Sequence, residues 1–232
     1  MPRAILFDLY DTLVAAGSAA ERDAVSRAMG TDLGIDPDHF AAEYEQTRPL
    51  RFVGALRDLE STVRAIAVRL GGSPAPSAVR LAATRRLMLT RRLLWPSAAT
   101  LSALEALRRG GWRLGLVSNC SSETPELWKR TPLAGQFEAV GFSCELGVAT
   151  PDPALFLAVC SFLRVAPTDC VFVSGGAGGE LAAAAGLGMA VIRTEEFVVA
   201  DGSWPRERIS TPAELVRLSG PPVRSPRSAA AG

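Results

Sequence analysis

Residues 4–13 read Ala4-Ile5-Leu6-Phe7-Asp8-Leu9-Tyr10-Asp11-Thr12-Leu13. Four apolar residues are followed by an acid. This is the pattern of a buried strand with a carboxylate at its C-terminal end. A carboxylate there needs a compensating partner or a chemical use, so Asp8 is the first candidate functional residue.

From about Ser18 to Leu94 the pattern turns helical. Ser18-x-x-Glu21 is a capping box, and Asp36-Pro37 places an N-cap before a proline. Val53, Leu56, Leu59, Val63, Ile66 and Leu70 repeat at helical spacing up to Gly71-Gly72. A further amphipathic helix runs from about Ser77 to Arg92. Strands and helices then alternate. Strands are predicted at Trp112–Val117, Ala139–Phe142, Cys170–Val173 and Met189–Ile192, with helices between them. Thr211-Pro212-x-Glu214 is expected to cap a last short helix.

Such alternation implies βαβ units and a parallel sheet, with chemistry at the C-terminal strand ends. Those ends are Asp8, Ser118-Asn119, Phe142-Ser143 and Ser174-Gly175. The expected fold is α/β: a Rossmann-like parallel-sheet core of residues 1–14 and 95–218, with an inserted all-α cap of residues 15–94. Residues 219–232 are expected to be a disordered tail.

Composition narrows the partners. The 232 residues are 48% hydrophobic and 21% charged, as in a folded globular chain, and the formal net charge is +1. No overall pull toward nucleic acid or an acidic membrane is expected. No apolar run approaches the roughly 20 residues of a membrane span. The N-terminus is too short and wrongly flanked for a secretory signal. A cytoplasmic protein, monomeric or homodimeric, is expected. Cys120, Cys144, Cys160 and Cys170 lack the spacing of a zinc or redox motif and read as buried reduced thiols. His39 is the single histidine, which excludes multi-histidine metal sites, and Lys129 is the only lysine.

Four ordered segments resemble the haloacid dehalogenase (HAD) superfamily, in the branch with a helical cap after the first strand. They are Leu6-Phe7-Asp8-Leu9-Tyr10-Asp11-Thr12-Leu13, Val117-Ser118-Asn119, Gly147-Val148-Ala149-Thr150-Pro151-Asp152-Pro153, and Val171-Phe172-Val173-Ser174-Gly175-Gly176 through Glu180 to Gly188. The resemblance implies a hydrolase with Asp8 as nucleophile, forming a covalent intermediate that water opens. It implies that Thr12 orients the loop after the strand. It gives Ser118 and Asn119, and with them Ser174, to the anionic group of a small organic substrate.

The departures from the family pattern bear on the reaction. Phosphatases of the family carry a general acid two residues after the nucleophile, where this chain has Tyr10, as the 2-haloacid dehalogenases do. Asp11 is one residue out of place. Thr150 stands where a lysine precedes Pro-Asp-Pro, a loss of roughly 4 kcal/mol of contact attraction. A cap arginine, Arg48 or Arg51, is the candidate replacement. Gly175 stands where a metal-binding aspartate is usual, so the expected cofactor is none, or a weakly bound Mg²⁺ on Asp8 and Glu180. Three readings stay open: a dehalogenase-like hydrolase, a Mg²⁺-dependent small-molecule phosphatase, and a repurposed, non-hydrolytic protein. The Gly175–Gly179 turn reads as a tight loop without a phosphate-binding fingerprint.

Overall fold

The structure is a computed structural model in which residues 4–198 and 204–218 are described. The predicted tail, residues 219–232, lies outside them.

Strand β1 (Ala4–Phe7) has all four residues buried. Alternation sends Ile5 and Phe7 into one apolar layer, and Ala4 and Leu6 into the other. Both faces of the strand are therefore covered, as its uninterrupted apolar sequence requires. Five helices follow: α1 (Ala19–Asp32), α2 (Pro37–Gln46), α3 (Arg48–Phe52), α4 (Leu59–Arg69) and α5 (Pro76–Leu93). They bury their own core, built on Met29, Phe40, Val63, Ile66, Val79 and Ala82. Each fully buried large apolar side chain contributes about 1.5–3 kcal/mol.

The chain then alternates: α6 (Ala98–Arg109), β2 (Arg113–Ser118), α7 (Glu123–Trp128), β3 (Ala139–Phe142), α8 (Ser143–Leu146), α9 (Pro153–Leu163), β4 (Cys170–Ser174), α10 (Glu180–Gly186), β5 (Ala190–Thr194), β6 (Arg208–Ile209) and α11 (Leu215–Leu218). The six strands form one parallel sheet in the order β3-β2-β1-β4-β5-β6. Residues of α6, α7 and α11 pack on one face, and those of α9 and α10 on the other. This is a Rossmann-like fold with an inserted helical cap. Among the described residues, no helix is long and apolar enough to cross a membrane.

Strand order reverses at β1, which lies between β2 and β4. The crevice at the C-terminal ends of those three strands is the usual ligand position in an open α/β sheet. The five helices return the chain to that edge.

Two local expectations are corrected, and one element carries no sequence signal. The apolar repeat from Val53 is not one helix: α3 ends at Phe52 and α4 begins at Leu59. Gly54 (φ +68°) and Arg57 (φ +59°) turn the backbone left-handed between them. A side chain at Gly54 would collide with the Cys144 carbonyl, and Asp58 then caps α4 by accepting from Ser61 N–H at 2.8 Å. Thr211 makes no side-chain cap; Glu214 instead accepts from Ser210 N–H at 3.0 Å, across a short 3-10 turn. The edge strand β6 was not predicted, because two residues carry no periodicity. The predicted Ser18 cap is present, with its hydroxyl accepting from Glu21 N–H at 3.1 Å. The Glu21 carboxylate pairs with Arg92 across the base of the cap.

Candidate active site

Asp8 extends β1 by one residue, its N–H donating to Val173 O at 2.9 Å. This brings its carboxyl to the crevice where strand order reverses. Thr12 Oγ1 donates to Asp8 Oδ2 at 3.4 Å and accepts from Gly175 N–H at 3.0 Å. One hydroxyl thus links the loop after β1 to the turn after β4. Asp11 stands at φ +55°, and its Oδ1 accepts from Ala16 N–H at 2.8 Å. It ties off the loop that leads into the cap.

Burial holds the Asp8 carboxyl well above its ordinary range, and the nearby Glu180 and Asp11 charges add to the effect. The Leu9 N–H and the Thr12 hydroxyl favour the anion and offset this in part. Among the described residues, no ion pair reaches Asp8. The proton therefore stays on Asp8 to a higher pH than on a free carboxylate.

At the third segment, Asn119 closes on Thr150. Its Nδ2 donates to Thr150 Oγ1 at 2.8 Å and to Thr150 O at 3.0 Å, and its Oδ1 accepts from Thr150 N–H at 2.8 Å. At the fourth, Ser174 Oγ donates to Glu180 Oε1 at 2.6 Å and accepts from Gly176 N–H at 3.1 Å. Glu180 Oε2 accepts from Gly178 N–H at 2.7 Å. Glu180 is thus the internal brace of the glycine turn.

Mg²⁺ takes near-octahedral oxygen ligands, with one or two free carboxylates among them. Both Glu180 oxygens are already engaged. A Cβ at Gly175 would stand 2.6 Å from the Asp11 carbonyl oxygen, so backbone fills the place of a first side-chain atom there. Among the described residues, no cluster of three or more acids, histidines or cysteines could hold a metal. The donor set does not fit Mg²⁺.

A cavity of about 700 Å³ lies between the strand ends and the cap. Asp8, Tyr10, Asn119, Thr150 and Glu180 reach it from the core, and Arg48 reaches it from the cap. Arg48 pairs with Glu45 at 2.7 Å. Thr12, Ser118 and Ser174 are fully buried behind the wall, and Ser118 Oγ has no hydrogen-bond partner among the described residues. Tyr10 hydroxyl bonds Thr124 Oγ1 at 3.0 Å, and burial pushes its phenol above the ordinary range.

Several cavity residues were not read from the sequence. Arg51, named only as a possible lysine substitute, is 5% exposed. It donates to Thr47 Oγ1, Ser121 Oγ and Tyr44 O at 3.0–3.3 Å, and stacks 4.0 Å from the Tyr44 ring centroid. It makes no ion pair among the described residues, so it keeps a buried positive charge at the cavity. Arg86 pairs with Glu123 at 2.9 Å across the seam between cap and core. Burial works against the Arg86 charge, but the neighbouring Tyr44 and Glu123 oxygens outweigh it and hold the proton more firmly than usual. Helical periodicity assigns arginines to the polar face and does not show which of them the core covers.

The haloacid dehalogenase-like hydrolase family matches residues 2–188. A glyceraldehyde 3-phosphate phosphatase from Methanopyrus kandleri is 27% identical over 208 residues, covering 83% of this chain and 84% of that protein. A 2-haloacid dehalogenase structure from Pseudomonas syringae pv. tomato superposes with a TM-score of 0.71 at 21% identity, covering 94% of this chain and 98% of the other. A HAD family enzyme from Bacteroides thetaiotaomicron, solved with magnesium and inorganic phosphate, gives 0.64 at 16% identity, covering 89% and 100%. A sheet whose order reverses at an acid-tipped first strand, a helical insertion after it, and a sequence match over most of its length agree: the chain belongs to the haloacid dehalogenase-like hydrolase family.

Proposed function

We propose that the chain hydrolyses a small anionic organic substrate through a covalent ester on Asp8, without a metal ion, in the manner of a 2-haloacid dehalogenase. The observation that carries this reading is the closed position at Gly175. With the Asp11 carbonyl 2.6 Å from any Cβ there, the site has a nucleophile but not the carboxylate set for Mg²⁺. Tyr10 at the general-acid position points the same way, since a halide leaves without a proton.

In this reading, one Asp8 oxygen attacks the carbon bearing the leaving group. The carbon–halogen bond breaks and halide departs with its electron pair. Water then adds to the Asp8 carbonyl carbon and the ester bond breaks. The product takes up a proton as a hydroxyl, a second proton goes to solvent, and Asp8 is returned as carboxylate. Arg51 holds the substrate's anionic group through the N–H groups that its three neutral partners leave over. Its charge does the work that Thr150 cannot.

The phosphatase named among the relatives supports a second reading, hydrolysis of a small phosphate ester. One experiment separates the two. Wild type and Asp8→Asn are compared on 2-haloacids and small phosphate monoesters, with and without Mg²⁺, reading free halide and free phosphate. Halide release that needs Asp8 and ignores Mg²⁺ is expected. Phosphate release that needs both would replace the first reading with the second. No Asp8-dependent release from any compound, with both proteins folded, would move the assignment to a repurposed binding protein.

A further inference from the structure

The four cysteines form two spatial pairs. Cys120 and Cys144 stand with their sulfurs 3.9 Å apart, as do Cys160 and Cys170. Distance alone does not distinguish them, but surroundings do. Cys160 and Cys170 are each 2% exposed, inside the layer packed under α9, and the Cys170 thiol also donates to Ala166 O at 3.3 Å. Cys144 is partly exposed on α8, while Cys120 is buried in the wall of the cavity, next to Asn119.

The backbones at the first pair are already held together. Ser143 Oγ accepts from Cys120 N–H at 3.0 Å and donates to Cys120 O at 3.3 Å. The sulfurs have about 2 Å left to close to reach bonding distance. Thiol exchange needs an accessible sulfur carrying thiolate character, and a second thiol in reach to resolve the adduct. The hydrogen bond from Cys120 lowers the Cys144 thiol below its ordinary range. Burial, together with that same bond, keeps the proton on Cys120. Cys144, the sulfur that solvent reaches, is the attacking member, and Cys120, buried behind it, is the resolving one.

We propose that Cys120 and Cys144 are a reversible thiol–disulfide modification site, taking a low-molecular-weight disulfide as oxidant, and that Cys160 and Cys170 are not. The Cys144 thiolate attacks one sulfur of the small disulfide. A mixed disulfide forms, the original sulfur–sulfur bond breaks, and one thiolate leaves. Cys120 then attacks Cys144 Sγ, its proton passing to the departing second thiolate. Two protein thiols are oxidised and one small disulfide is reduced to two thiols. The bond joins the cavity wall at Cys120 to α8, against which the cap turn packs so closely that a Cβ at Gly54 would collide with the Cys144 carbonyl.

The test treats the full chain with oxidised glutathione, alkylates the remaining thiols, and maps peptides by mass. A Cys120–Cys144 link is expected, reversed by a thiol reductant, with Cys160 and Cys170 alkylated only after denaturation. In Cys120→Ser the resolving thiol is gone, and glutathione is expected to remain on Cys144. A folded wild type that keeps all four thiols overturns the proposal. So does one that links Cys160 to Cys170 first, or one that retains glutathione on Cys144. If the variant does not fold, as read by circular dichroism, the wild-type map alone decides.

Discussion

Asn119 grips Thr150 with three hydrogen bonds, two of them to the Thr150 backbone. The loop that carries a lysine elsewhere in the family is therefore held at the cavity edge without the lysine. In Thr150→Lys the two backbone bonds survive and only the one to Oγ1 is lost. An ammonium beside Asp8 favours its anion. Turnover at neutral pH is expected to rise about tenfold, equal to ~1.4 kcal/mol off the barrier. The acid limb of the pH profile should move to lower pH. Steady-state rates across a pH series check both.

Asp8→Asn is expected to abolish product release, by a factor on the order of 10³ or more. The same change should raise the melting temperature at neutral pH. The sign follows from the raised Asp8 pKa. Above the ordinary value of 3.8 the unfolded chain gives up this proton while the folded chain keeps it, so folded stability falls as pH rises toward the raised value. Below about pH 4 the carboxyl is protonated in both states, and the advantage of asparagine should vanish. Melts of both proteins from acid to neutral pH decide it. If the proposed reaction runs through the ionised carboxylate, wild-type turnover should climb with pH over the same interval.

Gly175→Asp puts back the family's metal-binding residue in sequence only. Its Cβ meets the Asp11 carbonyl at 2.6 Å, so the loops must separate. A loss of about 1–3 kcal/mol in stability is expected, with no gain in Mg²⁺ affinity. Denaturant unfolding and a calorimetric Mg²⁺ titration measure the two. Tight binding by the variant would show that the turn yields more readily than its contacts imply.

Glu123 is 2% exposed and its Oε2 has no partner among the described residues, so its pairing with Arg86 carries the compensation for a buried charge. Arg86→Met is expected to cost about 3–5 kcal/mol. Arg86→Met with Glu123→Gln should recover much of that, because no charge is then stranded. Unfolding midpoints of the two single variants and the double variant form the cycle that tests this.

The sheet was legible because each long strand is an apolar run ending in a small polar or acidic residue, and the helices α6 and α9 open on the readable caps Ser97 and Asp152. The four-residue α8 opens on Phe142 with no capping side chain and carries no such signal. The two-residue β6 has no such signal. The break between α3 and α4 hid behind an apolar repeat that continues through a turn. At the site, the motif placed Asp8 and Tyr10, while the hydrogen-bond partners were beyond it. An acid such as Glu123 in a helix's first turn reads as a favourable dipole contact. Only the tertiary packing brings Arg86, from 37 residues away, against it. The cap side of the cavity is chosen by which faces of α1, α2, α3 and α5 meet the core, and periodicity is silent on that.

The pairing of Glu21 with Arg92 joins the first turn of α1 to the last turn of α5, and Gly17 lies against Leu93 beside it. Entry to and exit from the five-helix insertion are therefore neighbours. Excising residues between these two points and bridging the gap with a short linker would leave every rung of the parallel sheet in register. A replacement of the insertion therefore has to bring its own cation for Glu123, because the core acid is neutralised from the far side of the junction by Arg86.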